Sequence, residues 1–464
     1  MSDRVVIVGG GITGLSTAYR LLADAQPSAA PDVTVLESDD HVGGKLRSVE
    51  VGGLQLEAGP DSLLARKPWG VELCSELGLG GELVPPSTGA THIWTDAGLV
   101  RFPSGPFGIS THPTELWRWP GMSRRGKLRA LGDLWRRPRT DEADESLGSL
   151  LRRRVGDEAC DRLVAPLLGG LFAGDVDLLS VKATFPELAA WERSSGGLIR
   201  GARAASRASG GKAPPPVFLR LKGGFGRLTE ELIAAIGSGR IHPQTTVTSV
   251  RREAGAFVVQ TREGEIPADS IVLASPASVT ADLLDGLTPD VATSLRRILY
   301  LSTAVVLLVY QDGTGEPLPD SSGFVAPRGT AAMTAATLVS RKWPDQAFGD
   351  RAVVRCFVGG AGTEGLLDRS DDDIVKSVCR QLATVLPLPP YAEASRVVRW
   401  SLAMPQYEVG HLDRVGEIER SLPPGIFVAG QAYRGTGIPD CVRAGTEVAE
   451  RVTSYLSDLP SALR

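Results

Sequence analysis

RVVIVGGGITGLSTAYRLL, residues 4–22, is the stretch whose reading decides the fold. RVVIV is rich in β-branched side chains, which favour extended backbone, and it reads as a buried strand. Gly9, Gly11 and Gly14 follow in a G-x-G-x-x-G pattern, and Leu15, Ala18 and Leu22 then share one helical face. The first glycine opens a tight turn, the second lets backbone approach a pyrophosphate, and the third lets helix pack on strand. The phosphates then sit on the helix N-terminus, where backbone amides are unpaired. A second strand, VTVLE (33–37), ends in Glu37, where the ribose of a dinucleotide needs a hydrogen-bond acceptor. A ligand-free turn would account for the glycines alone, but not for strand, glycines, helix, strand and terminal acid in that order. The expected nucleotide contacts are Gly9, Gly10, Gly11, Ile12, Thr13, Gly14 and Glu37.

DDHVGGKLRS (39–48) follows at once, with Gly43 and Gly44 before Lys45 and Arg47. A Gly-Gly turn followed by a base is no part of a plain NAD site, and it resembles the second element of FAD-binding oxidoreductases. One of the two cations is expected to reach the extended diphosphate and the other to be solvated.

The totals agree with an enzyme of this kind. The 464 residues suggest two or three folding units, and 42% apolar content supplies a large core. A net charge of -4 argues against nucleic acid as the main partner. Five cysteines without a C-x-x-C pair signal neither a disulfide framework nor zinc, and fit the reducing cytoplasm. The start MSDRVVIVGG enters a strand directly and no run reaches ~18 apolar residues, so neither export nor a membrane span is expected.

Residues 241–277 read as alternating strands, a second instalment of the nucleotide domain, and Leu299 to Tyr310 reads as a strand opening a further excursion. Near the C-terminus IFVAG runs into GQAYRGTGIPDC (430–441), with a helix expected from about Asp440. Residues 194–216, rich in Gly, Ser, Ala, Arg and Pro, are expected to form a mobile loop. In 114–139 eight basic residues share a helical stretch with Trp117, Trp119, Leu128, Leu131, Leu134 and Trp135. A solvated basic face, contact with an anionic membrane, and guidance of a polyanionic substrate or partner all remain open for it.

LVAPLLGGLFAGDVDLLSVKATFPEL (163–188) is too glycine-rich for a clean helix and too apolar for a loop. Together with EAGPDSLLARKP (57–68), LKGGFGRLTEEL (221–232) and GQAYRGTGIPDC, it resembles the porphyrinogen oxidases of haem synthesis. The likeness runs over nearly the whole chain and is strongest to the bacterial branch acting on coproporphyrinogen III.

That resemblance implies an α/β fold with a mixed-sheet substrate part, of the amine oxidase and phytoene desaturase type, in which domains interleave. FAD-binding segments would occupy 1–85, 216–280 and 411–464. Substrate segments would occupy 86–112 and 281–410, and a helical domain facing a membrane or partner 113–215. The resemblance also implies FAD contacts at Ser38, Lys45, Gly59, Pro60, Asp61, Ser62, Val247 and Trp400. In GQAYRGTGIPDC, backbone amides of Thr436, Gly437 and Ile438 would face the reduced flavin. The activity implied is oxygen-dependent six-electron oxidation of coproporphyrinogen III to coproporphyrin III in the cytoplasm. A coproporphyrin ferrochelatase would receive the product, and the chain would act as a monomer or homodimer.

Such chemistry rests on the flavin, so no catalytic acid, base or metal is named. The five histidines form no H-E-x-x-H motif. A tetracarboxylate substrate needs cations beside an apolar pocket; Lys67, which the resemblance puts at the substrate side, is the first choice, with Arg66 and Arg101 as further candidates and a solvated role equally open for Arg101. Three alternatives stand: a protoporphyrinogen IX oxidase, a flavin amine oxidase, and a non-catalytic FAD- or NAD(P)-binding regulator.

Overall fold

The computed structural model describes residues 3–26, 30–208, 216–253, 255–343 and 347–459. At its centre is a parallel five-stranded sheet in the order β3-β2-β1-β4-β5, where β1 is Arg4–Val8, β2 Asp32–Leu36, β3 Ile241–His242, β4 Ser270–Leu273 and β5 Ile426–Val428. The strands come from both ends and the middle of the chain, so the sheet closes only after nearly the whole sequence is made.

Alternation along these strands explains why both faces are covered. Val5, Ile7, Val33, Val35 and Val272 enter one core with the helices Ile12–Ala23, Gly226–Ile236 and Ile438–Asp458. Val6, Val8, Leu36, Ile271 and Leu273 enter another, with the antiparallel strands Val247–Glu253, Ala256–Thr261 and Glu265–Ala268 and the helices Ala277–Leu284 and Pro289–Arg296. The first and last helices pack closely, because a Cβ on Gly445 would lie 2.8 Å from the Thr13 carbonyl oxygen.

A seven-stranded sheet runs in the order Ala394–Pro405, Tyr300–Val309, Val353–Gly359, Met333–Leu338, Gly323–Val325, Thr91–Thr95, Gly98–Arg101. All neighbours are antiparallel except Gly323–Val325 on Thr91–Thr95. The helix Asp371–Val385 contributes Ile374, Val378 and Leu382 to a core shared with this sheet.

Residues 113–208 are largely helical around a core that includes Leu147, Leu150, Leu151, Leu163, Leu188 and Leu198. The segment 163–188 is glycine-rich because it is several short elements: a π-turn at Cys160–Val164, a helix Ala165–Phe172, a left-handed Ala173, and short helices from Val181 and Pro186. The basic stretch is likewise two helices, Pro113–Arg118 and Arg124–Leu131, broken around Pro120. Trp117, Leu128 and Trp135 are exposed, but Trp119 and Lys127 are buried, and Arg129 donates to the carbonyls of Arg152, Arg153 and Arg154, closing the helix Leu147–Val155.

The mobile loop expected over 194–216 is corrected by a helix, Leu198–Ala208; residues 209–215 lie outside the described residues. Composition misleads here because the apolar period is short: Leu198, Ile199 and Ala202 are buried and the turns beyond them are exposed. Gly201 packs against Trp191, where a Cβ would sit 2.2 Å from the Trp191 Cβ. The helix start is pinned by the Ile199 amide donating to Asp133 Oδ2 at 2.8 Å.

Asp133 also pairs with Arg154 Nε at 2.5 Å, both side chains being 1% exposed or less. Removing one partner of such a pair leaves an uncompensated buried charge. Asp133→Ala is therefore expected to destabilise the protein by about 3–5 kcal/mol, read as a lower urea midpoint at constant m-value.

Candidate functional site

The C-terminal ends of the parallel strands are where a doubly wound sheet binds its ligand. Gly9 donates to the Leu36 carbonyl at 2.8 Å, and Gly43 donates to the Gly10 carbonyl at 2.8 Å, so the glycine loop is stitched to β2 and to the Gly-Gly turn. Glu37 Oε2 accepts the Gly10 amide at 2.8 Å, while Oε1 accepts the Asp39 amide at 2.9 Å and the Ser38 hydroxyl at 3.2 Å. Val247 lies two residues beyond Thr245, whose amide donates to the Glu37 carbonyl at 2.7 Å. Residues expected at the adenosine end are thus gathered at one place.

The three fingerprint glycines separate by what surrounds them. A Cβ on Gly9 (φ +112°) would meet the Ala274 carbonyl oxygen at 2.9 Å, and one on Gly14 would meet the Gly9 carbonyl oxygen at 2.0 Å. Both are demanded by the protein itself. A Cβ on Gly11 would find no protein atom within 4 Å, although Gly11 is the N-cap of Ile12–Ala23 and has no side-chain cap. The protein's own packing therefore does not require glycine at Gly11.

The turn from the far end of the chain faces this loop, with Gly430 near the Thr13 hydroxyl. The helix begins at Ile438, earlier than expected, because Pro439 fits a first turn where no N–H is needed. Its N-cap, Gly437, also lacks a side-chain cap, so two bare helix N-termini are presented together. Tyr407, which no sequence pattern marks, holds the turn: its hydroxyl accepts the Gly435 amide at 2.8 Å and donates to the Gln431 carbonyl at 2.6 Å. His411 stacks on Tyr407 at 4.1 Å and pairs Nε2 with the Tyr433 carbonyl at 2.9 Å.

Of the two cations after the Gly-Gly turn, Lys45 points inward and Arg47 is exposed. Lys45 Nζ donates to the Ala403 carbonyl at 2.7 Å, an oxygen that also accepts Gln431 Nε2 at 2.8 Å. Burial lowers the Lys45 ammonium to about 8. Trp400 Nε1 donates to the Ala58 carbonyl at 2.9 Å, fixing the start of the GPDS loop, whose residues Gly59–Ser62 are half-buried. The Asp61 side chain turns away to Lys342 Nζ at 3.0 Å.

The candidate substrate cations are dispersed. Lys67 Nζ lies 2.7 Å from both carboxylate oxygens of Asp440, in the first turn of the C-terminal helix, so its charge is met inside the protein. Arg66 is half-exposed, stacks over Phe107 at 5.2 Å and approaches Glu187 only to 3.6 Å. Arg101 lies on the opposite edge strand from Trp400, with five strands between them, and is not brought to this site. Next to the turn, Leu171, Leu178, Leu402 and Val409 are exposed on segments joined through Val409 N to Leu178 O, Gly360 N to Ser302 O and Ala361 N to Ala173 O. Leu402, with φ +44°, has its amide on Ser302 Oγ at 2.9 Å. Among the described residues no cluster of metal-ligating side chains occurs, and no helix is long and apolar enough to cross a membrane.

The flavin-containing amine oxidoreductase family matches residues 12–453. The chain belongs to that family. It is 33% identical to coproporphyrinogen III oxidase of Bacillus subtilis over 98% of this chain and 100% of that one. It is 34% identical to coproporphyrinogen III oxidase of Mycobacterium tuberculosis over 97% and 98%. A crystal structure from Exiguobacterium, provisionally described as a protoporphyrinogen oxidase, superposes with a TM-score of 0.88 at 31% identity, covering 99% of this chain and 100% of that one. Putrescine oxidase shares the fold at a TM-score of 0.71 and 18% identity, covering 98% and 99%. The two bare helix starts and the open Gly11 fit a flavin dinucleotide.

Gly11→Val is expected to leave the flavin-free protein within about 0.5 kcal/mol of wild type and to abolish flavin retention. Gly14→Ala is expected to cost about 1–3 kcal/mol even without flavin. Urea unfolding of the flavin-free proteins and absorbance at flavin wavelengths check both outcomes.

Proposed function

We propose that the protein is an FAD-dependent porphyrinogen oxidase that converts coproporphyrinogen III to coproporphyrin III in haem biosynthesis. The observation that carries this reading is the full-length similarity to proteins named coproporphyrinogen III oxidase, joined to a site with two bare helix N-termini. Bound FAD supplies two-electron acceptor chemistry, so that six electrons leave the macrocycle in three rounds and return to O₂ as H₂O₂.

The chain's own residues bind and orient. Gly9–Gly14 and Lys45 would hold the diphosphate, with Glu37, Ser38 and Val247 at the adenosine. Gly59, Pro60, Asp61, Ser62 and Trp400 would frame the ring. The amides of Thr436, Gly437 and Ile438, at the positive end of the C-terminal helix, would favour negative charge developing on it. Leu171, Leu178, Leu402 and Val409 offer an apolar wall to a macrocycle. Arg66, the half-exposed candidate cation with the weaker internal contact, would meet a propionate; Lys67 would act by steadying Asp440 and the turn. The same reading places the enzyme in the cytoplasm, with the product passing to a ferrochelatase.

Oxygen consumption by the yellow protein is expected with coproporphyrinogen III, at three O₂ for each porphyrin formed. Its kcat/KM should exceed that for protoporphyrinogen IX by at least about tenfold, the scale of one lost charged contact. A preference for protoporphyrinogen overturns the substrate, and oxidation of simple amines instead overturns the reaction. Arg66→Ala is expected to raise KM for coproporphyrinogen about tenfold with unchanged flavin content; equal KM values would remove Arg66 from the substrate site.

A further inference from the structure

Behind the GPDS loop lies a cluster that the reaction as described leaves unused. Arg355, on the strand Val353–Gly359, is 4% exposed, and its guanidinium donates to the Gly59 carbonyl and stands 3.7 Å from Asp61 Oδ1. Asp61 Oδ2 also accepts Lys342 Nζ at 3.0 Å and Trp343 Nε1 at 3.3 Å, and Oδ1 accepts the Ser62 hydroxyl at 2.9 Å. Lys342 and Arg355 hold the Asp61 carboxyl well below the usual carboxylate range against the opposing effect of burial. On the other side of the loop, Glu57 Oε1 accepts the Ser48 hydroxyl at 3.1 Å and the Phe225 amide at 3.1 Å.

Two buried atoms here have no hydrogen-bond partner, Glu57 Oε2 and Arg355 Nε. Both residues line one cavity of about 10 Å³, together with Leu56, Asp61, Arg220 and Trp343. The charged groups converging on it are Glu57 and Asp61 against Arg220, Lys342 and Arg355. Burial pushes the Glu57 carboxyl up to about 7, with Ser48, the Phe225 amide, Arg355 and Arg220 opposing the rise. Below that value the cluster holds one negative and three positive charges, directly behind a loop whose backbone faces the cofactor. The enclosing protein is low in dielectric, so such a bias acts strongly at short range.

We propose that Arg355 is a positioning residue for the flavin: through the Gly59 carbonyl and Asp61 it fixes the GPDS loop, and with Glu57, Arg220 and Lys342 it makes a positively biased cluster that favours the reduced cofactor. Arg355 does so through the loop and touches no substrate. The proposal rests on the flavin assignment and is independent of which porphyrinogen is oxidised.

Arg355→Met keeps most of the side-chain volume and removes the charge and the donors. Reconstitution of flavin-free protein with FAD should show a dissociation constant about 10- to 100-fold higher, the scale of a lost charge-assisted hydrogen bond. Potentiometric titration should show a lower midpoint potential, with Arg355→Lys lying between the variant and wild type. Wild-type affinity and potential in Arg355→Met would overturn the inference, whereas wild-type protein that takes up no FAD would overturn the flavin reading itself.

Glu57→Gln supplies a second arm should Arg355→Met not fold. In wild type, Glu57 ionises as pH rises through about 7, weakening the positive bias; glutamine stays neutral. The variant's potential should match wild type at pH 6 and exceed it at pH 8.5. Stability carries the same sign: the folded carboxyl binds its proton more tightly than the unfolded one. Its contribution is full below the ordinary value of 4.5 and is lost as pH rises through about 7. Glu57→Gln should remove that decline, and identical pH profiles for variant and wild type would refute the proposal.

Discussion

The structure depends on backbone amides that have been left without partners. At the ends of β1 and β5, strands from opposite ends of the sequence, a helix starts on a glycine with no side chain to cap it. Ser123, Ser146, Ser180 and Ser370, by contrast, each cap a helix by accepting a first-turn amide. Uncapped starts leave first-turn amides free to meet an anion. The parallel sheet favours the meeting of two such starts: parallel strands of one sheet, here β1 and β5 with β4 between them, put their carboxyl ends on one edge, and the helices that follow begin there.

The seven-stranded sheet contributes by gripping what that edge presents. Its edge strand Ala394–Pro405 sends Trp400 to the Ala58 carbonyl and lends the Ala403 carbonyl to Lys45 and Gln431 at once. One carbonyl thus ties the Gly-Gly turn to the C-terminal turn, segments from opposite ends of the chain. Tyr407, just beyond the strand, spans the turn itself. Displacement of this strand would loosen the Gly-Gly turn, the GPDS loop and the C-terminal turn together, so the seven-stranded and five-stranded sheets are mechanically coupled.

How much of this is legible in the sequence follows from the range of each constraint. The strand, glycine and helix order of residues 4–22 is local, since sterics and periodicity act within a few residues, and it is readable. So is the run of strands through 241–277, which the structure resolves into β3, three antiparallel strands and β4. The helix Leu198–Ala208 escapes such reading because one short apolar face, Leu198, Ile199 and Ala202, is outweighed by Gly, Ser and Arg around it. Lys67 reads as a free cation because Asp440, its partner, lies at the other end of the chain. Tyr407 and Arg355 carry no motif, and their importance comes from carbonyls of Gln431 and Gly59 that no periodicity connects to them.

Protonation around the C-terminal turn is fixed by burial. Burial pushes His411 down to about 4, so the imidazole is neutral through the physiological range. The Tyr407 phenol is held well above its ordinary value by burial, and the Cys441 thiol is pushed up to about 11. Each of these groups keeps one protonation state near pH 7, where it serves as a dipole and not as an acid or base. Asp440, in the first turn of the C-terminal helix, is held by Lys67. The oriented field of the helix and its amides, by contrast, needs no rearrangement when charge develops near it. A two-electron transfer to a flavin asks for that kind of fixed environment, and the energetic work of the fold goes into holding it still.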